Sequence, residues 1–286
     1  VLLANEDSQL PEEYKTKTLG TDYNISYFSD FSDREIVNFV DGVFSDISNL
    51  EYVEFSSNVI SLSTEIFSNC ENLKTIDASK TQILDIPNYA FYNCSNLEHV
   101  EVPTTITSIG DFAFYSTGIN NPVAIDKVTS LGENVYEKCS NIASVTYPST
   151  LTTIPKNTFS DCDSLVSFSF QNAENITEIG ANAFIYHFET TSVTVPDTVT
   201  VIGSGAFKQC TSLSNVSLPA NCNVAGDAFT TTSVTMLGNT QLWIPAGIVN
   251  KNILYENGIK STGVKVYKNK TYQDGILLTG FNENDG

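Results

Sequence analysis

A motif of the form Ala-Phe-x-x-Cys-x-x-Leu recurs along this chain, and its spacing constrains the fold more than any other feature. Its aromatic member stands at Phe44, Phe67, Phe91, Phe114, Tyr136, Phe159, Phe184, Phe207 and Phe229, with gaps of 22 to 25 residues. A fixed period of roughly 20–30 residues marks a stacked solenoid, in which each turn buries its apolar side against its neighbours. The 286 residues therefore read as one elongated array, not as the two globular domains that length alone suggests. Three sections are expected: an N-terminal cap over 1–35, repeats over 36–238, and a C-terminal cap and tail over 239–286.

Residues 90–112 are the clearest copy. Val100 and Val102 alternate with polar residues, the period-2 signature of a short strand with one buried face. Pro103 lacks an amide hydrogen and ends that strand's pairing. Ile106 and Ile109 line the next stretch, and Gly110 is read as a turn residue of positive φ. Ala-Phe then opens a short helical or 3₁₀ turn. The same frame fits Val145 and Tyr147, Phe168 and Phe170, Val193 and Val195, and Val216 and Leu218. One strand per turn, in register, predicts a parallel sheet of about nine short strands.

The full pattern, Ala-Phe-x-x-Cys-x-x-Leu-x-x-Val-x-Leu-Pro-x-x-Val-x-x-Ile-Gly, resembles the leucine-rich repeat of the BspA-like family of bacterial surface proteins. The resemblance covers about nine copies, some degenerate: Thr117 and His187 stand where others have Cys. It implies an α/β-type, right-handed leucine-rich-repeat solenoid. It also implies a secreted or cell-surface bacterial protein, associated with the outer membrane or cell wall, that adheres or binds protein. It implies no catalysis and no cofactor.

Charge narrows the partners. The net charge is −19, and Arg34 is the only arginine. Nucleic-acid binding is excluded on this ground, because phosphate neutralisation needs Lys and Arg. No run of 18 apolar residues exists, so no membrane insertion is expected. The acids are unevenly placed. Residues 1–143 carry 22 acids against 7 bases, and residues 144–286 carry 11 against 7. An acidic surface keeps a long array soluble, and it can also orient a basic partner.

Five cysteines, Cys70, Cys94, Cys139, Cys162 and Cys210, lie three residues after a repeat aromatic, and Cys222 lies three after Pro219. All six fall on inward positions and are expected to be free buried thiols. No Cys-x-x-Cys or Cys/His spacing suggests zinc. The two histidines, His99 and His187, have no nucleophile nearby in sequence. No hydrolase, metalloprotease, phosphate-loop or complete calcium-loop motif is present.

The outward strand positions form a ribbon across the array. In order they are Tyr52 and Glu54, Thr75 and Asp77, His99 and Glu101, Pro122 and Ala124, then pairs made almost wholly of Ser and Thr from Ser144 onward. Neighbouring hydroxyls on adjacent strands explain the second zone. In the first zone Glu54, Asp77 and Glu101 should stack in one column. Like charges abreast are unfavourable, so solvation, a basic partner or a hard cation such as Ca²⁺ must offset them. Tyr52, Glu54, Asp77, His99 and Glu101 are therefore the candidate binding residues. The expected partner is an extracellular protein or glycan, and the expected state a monomer. A passive spacer and a glycan-binding module are the rival readings.

At the C-terminal end, Leu242–Pro245 reads as a strand, Ile248–Ile259 as a short helix, Val264–Tyr267 as another strand, and Asp274-Gly275 as a hairpin turn. Trp243 is expected to seal the last turn.

Overall fold

The computed structural model describes residues 39–233 apart from 171–172 and 220–221. Beyond these it describes only the strand segments Tyr27–Ser29, Met236–Leu237 and those between 242 and 277.

The chain is a solenoid of parallel strands, with successive turns about 23 residues apart. One face carries three-residue strands: Tyr52–Glu54, Thr75–Asp77, His99–Glu101, Ser144–Thr146, Ser167–Ser169, Ser192–Thr194 and Asn215–Ser217. Each projects its middle residue inward. Val53, Ile76, Val145, Val193 and Val216 are buried, while Val100 and Phe168 are half-buried. Tyr27–Ser29, which does not fit the repeat, adds a parallel strand beside Tyr52–Glu54.

A second face was not anticipated. Asp85–Ile86, Ser108–Ile109 and Ser130–Leu131 pair in parallel. So do Thr153–Ile154, Glu178–Ile179, Val201–Ile202 and Asn223–Val224. Two residues are too few to show an alternating pattern in sequence, which is why only one strand per turn was legible.

The core is a column of rings. Each repeat aromatic stacks on the next, from Phe44 on Phe67 at 5.3 Å between centroids to Phe207 on Phe229 at 5.1 Å. The Leu that follows by six residues, as at Leu73, Leu97 and Leu165, is fully buried.

The Ala-Phe segments form hydrogen-bonded turns and not helices, in contrast to the expectation. Their amides are shared out differently. Tyr89, Phe91 and Asn93 donate to Asp111, Ala113 and Tyr115 of the next turn, while Tyr92 and Cys94 close local three-residue bonds. An amide committed to a neighbouring turn cannot join a helical ladder. Backbone dihedrals alternate to match. The residue two before the aromatic is left-handed, as at Gly42, Asn134, Asn157 and Gly205, with φ of 63°, 60°, 55° and 64°. Gly110 is not such a position. Its role is close approach, since a Cβ there would lie 2.6 Å from the Asn88 backbone nitrogen.

All six cysteines are buried thiols. Their thiols do more than fill space. Cys70, Cys94, Cys139, Cys162 and Cys210 each donate to the carbonyl of the repeat aromatic one turn back, at 2.9 to 3.1 Å. The site asks for a small, apolar side chain with a donor at its tip, and cysteine meets all three needs. Burial pushes the Cys139 thiol up to about 11 and those of Cys70 and Cys210 up to about 12. His187 occupies the same place and bonds Phe159 O at 2.7 Å through Nε2. A carbonyl only accepts, so Nε2 carries the proton. Nδ1 is buried with no hydrogen-bond partner among the described residues. Desolvation holds this imidazole neutral and lowers its pKa to about 4.

At the C-terminal end, Leu242–Ala246 and Lys251–Glu256 are antiparallel strands. A strand thus replaces the helix expected over 248–259. The stretch Ile253-Leu-Tyr255 is flanked by Asn252 and Asn257, poor helix formers, and Ile and Tyr favour strands. Val264–Tyr267 and Lys270–Gln273 pair antiparallel, and Gln273 faces Ile276 as a two-residue hairpin requires. Asp274, Gly275 and the side chain of Trp243 lie outside what is described.

Candidate binding cleft at a break in the sheet

The fourth copy departs from the repeat. Where other described copies hold a buried residue six after the aromatic, Leu in most and Ile142 or Thr190 in two, this one has the exposed Asn120, and Ile119 is buried one position early. At the place where a strand should begin stands Pro122, which has no amide hydrogen to donate to a ladder. Residues 123–127 fold into a turn, with Ala124 at φ 52° and Lys127 N donating to its carbonyl at 2.9 Å. The Tyr136 hydroxyl fixes this turn from the next copy by donating to Val123 O at 2.8 Å. The expected outward pair Pro122/Ala124 is therefore not a strand pair.

The consequence is an open edge. The sheet Tyr27–Ser29, Tyr52–Glu54, Thr75–Asp77, His99–Glu101 ends at its last member. His99 N donates to Lys74 O at 3.1 Å, and Glu101 O accepts from Ala78 N at 2.8 Å. Both residues are thus committed to the second copy. Backbone groups alternate in direction along a parallel strand, so Val100 directs its N–H and C=O the other way, toward the segment 119–124. Between that strand and that segment lies a cleft of about 520 Å³. Tyr52, Thr75, Asp77, His99 and Glu101 line its sheet side, and Asn120, Asn121 and Pro122 its opposite wall.

Four of the five candidate residues thus share one cleft, and the fifth, Glu54, stands beside it in the column. The register is the expected one: Glu54 faces Asp77, and Asp77 faces Glu101. The offsetting groups were not foreseen. Lys80 Nζ bonds Glu54 at 2.6 Å, and the Asp77 carboxylate accepts from Ser79 N at 2.9 Å and Ser79 Oγ at 2.6 Å. Glu101 is exposed, and its carboxylate has no partner among the described residues. Among those residues no three His, Cys, Asp or Glu side chains are grouped as a metal ion would require. The wall residues Asn120 and Asn121 were missed, although the lost Leu and the ill-placed Pro122 were visible as a fault in the period.

A model of the BspA-type leucine-rich repeat region matches residues 24–143 and 129–242. The chain belongs to the BspA-type leucine-rich repeat family. Proteins of this family are typically bacterial surface proteins and generally non-enzymatic. A leucine-rich repeat protein from Bacteroides ovatus is similar at 28% identity and a TM-score of 0.56. That alignment covers 67% of this chain and 55% of the other, so the present chain matches only about half of that relative's length. A T. pallidum leucine-rich repeat protein shares the fold at 19% identity and a TM-score of 0.51, over 72% of this chain and 91% of that one. A search of curated proteins gave no match. Among the described residues no helix is long and apolar enough to cross a membrane.

Proposed function

We propose that this BspA-type repeat protein is a secreted or surface-displayed bacterial binding module. It docks an extended, basic segment of an extracellular protein in the cleft beside His99–Glu101. One observation carries the reading: a column of carboxylates coincides with an open strand edge. An edge accepts a partner strand through main-chain bonds, and the side chains around it select the sequence. Here the selecting groups are Asp77 and Glu101, with the strongly acidic N-terminal half behind them to steer a cationic partner. The reading is of binding and not of catalysis. His99 is exposed, and among the described residues no carboxylate or hydroxyl hydrogen-bonds its ring.

The test is a binding array of extracellular-matrix proteins, mucins and glycans at low and physiological salt. A saturable protein partner is expected that weakens as salt rises and is lost in Asp77→Asn/Glu101→Gln. Absence of any partner for the folded chain would favour a passive spacer. A partner insensitive to both salt and the double variant would remove the cleft from the account.

A further inference from the structure

Two adjacent turns carry rings outside the core. Tyr89 stacks on Phe112 with centroids 4.9 Å apart and planes 4° apart. Tyr92 stacks on Tyr115 at 4.8 Å and 12°. Within each turn the two rings meet at steep angles, 63° for Tyr89 and Tyr92. All four are half-buried on the outer side of the Ala-Phe turns. No other copy has rings at both places. The corresponding pairs include Gly42 and Ser45, Glu65 and Ser68, and Asn157 and Ser160. Tyr89 and Phe112 take a left-handed φ of 56° there, as Glu65 does at 59° and Asn134, Asn157 and Asn182 do at 55–60°. Repeat geometry fixes this backbone in every turn from Gly42 to Gly205 but calls for no ring there, so it does not account for the two stacked pairs.

The two ends of this ladder differ. At the C-terminal end Lys138 sets its Nζ 5.2 Å over the centroid of Tyr115. At the N-terminal end the next rung is Glu65 and Ser68. Glu65 N donates to Asn88 O at 3.1 Å and Asn69 N to Tyr92 O at 2.7 Å, which fixes this adjacency. Ser68 is too small to cover the Tyr92 ring. Glu65 is exposed, and its carboxylate has no partner among the described residues.

We propose that this end of the ladder binds an arginine side chain of a protein partner. The guanidinium lies against Tyr89 and Tyr92, as Lys138 lies against Tyr115, and donates its N–H pair to Glu65. A planar fork suits a carboxylate beside an aromatic face better than an ammonium does. The site is separate from the cleft, and each can fail without the other.

The experiment titrates the full chain with acetyl-Gly-Arg-Gly-amide and with its citrulline counterpart, following tyrosine ring resonances by NMR. The arginine peptide is expected to shift Tyr89 and Tyr92 saturably, and the citrulline peptide to do so at least tenfold more weakly. Glu65→Gln should weaken the arginine peptide about fivefold or more, and Tyr89→Asn should abolish the shift at Tyr92. Tyr89→Asn installs the residue that other turns carry, so it should fold. Asp77→Asn/Glu101→Gln should leave the titration unchanged. Equal response to both peptides, indifference to Glu65→Gln, or a response to a neutral oligosaccharide in place of the arginine peptide would overturn the proposal.

Discussion

At the scale of single residues, the position three after each aromatic shows how one hydrogen bond shapes residue choice. A carbonyl of the turn before must be satisfied inside a dry core, and thiols or the imidazole of His187 do it. Phe67 O also accepts from Cys70 N at 3.1 Å, so Cys94→Ala removes one bond without orphaning the carbonyl and should destabilise by about 1 kcal/mol in denaturant melts. The six thiols should be unreactive toward a thiol reagent in the native chain and fully reactive in denaturant, since burial both hides them and disfavours the thiolate. His187 makes stability depend on pH. Its pKa is about 4 folded, against about 6.5 unfolded. The unfolded chain binds more protons between these values, so stability is full above about 6.5 and falls as pH drops toward 4. The loss is on the order of 3 kcal/mol. His187→Cys should remove that part of the slope. Parallel pH profiles for the two proteins would contradict the buried neutral ring.

At the scale of elements, competing terms decide which features are structural. Left-handed backbone at Tyr89 and Phe112 costs roughly 1–2 kcal/mol each. Ring stacking returns about 0.5–1.5 kcal/mol per pair. Tyr89→Asn/Phe112→Asn should therefore change stability little, by about 1 kcal/mol or less in either direction, as measured by thermal melts. The acidic column behaves similarly. Lys80 and Ser79 satisfy two of its members, and Asn at 77 can still accept from Ser79. Glu54→Gln/Asp77→Asn/Glu101→Gln should leave the melting temperature unchanged or raise it, and a fall of several degrees in metal-free buffer would contradict an unfavourable column. These elements also show what sequence can convey. The register of Glu54, Asp77 and Glu101 followed from the period together with side-chain alternation, both local patterns. The second strand column was hidden because two residues carry no period. The cleft was hidden because its far wall, Asn120 and Asn121, is defined by a strand that fails to form.

At the scale of the whole molecule, a regular solenoid repeats one surface turn after turn, so a local pocket needs a departure from the repeat. Function then concentrates where regularity breaks. In this chain the break at Pro122 falls at the end of the acidic column and in the more acidic half, where 22 acids face 7 bases. Shape, open backbone and charge coincide there. The most direct test is to titrate the full chain with an extended peptide of alternating Lys and Thr while following amide hydrogen exchange. The account predicts saturable binding that weakens with salt, slowed exchange at Val100, and at least a tenfold loss of affinity in Asp77→Asn/Glu101→Gln. Binding without protection at residues 98–101, or equal affinity in the double variant, would contradict it.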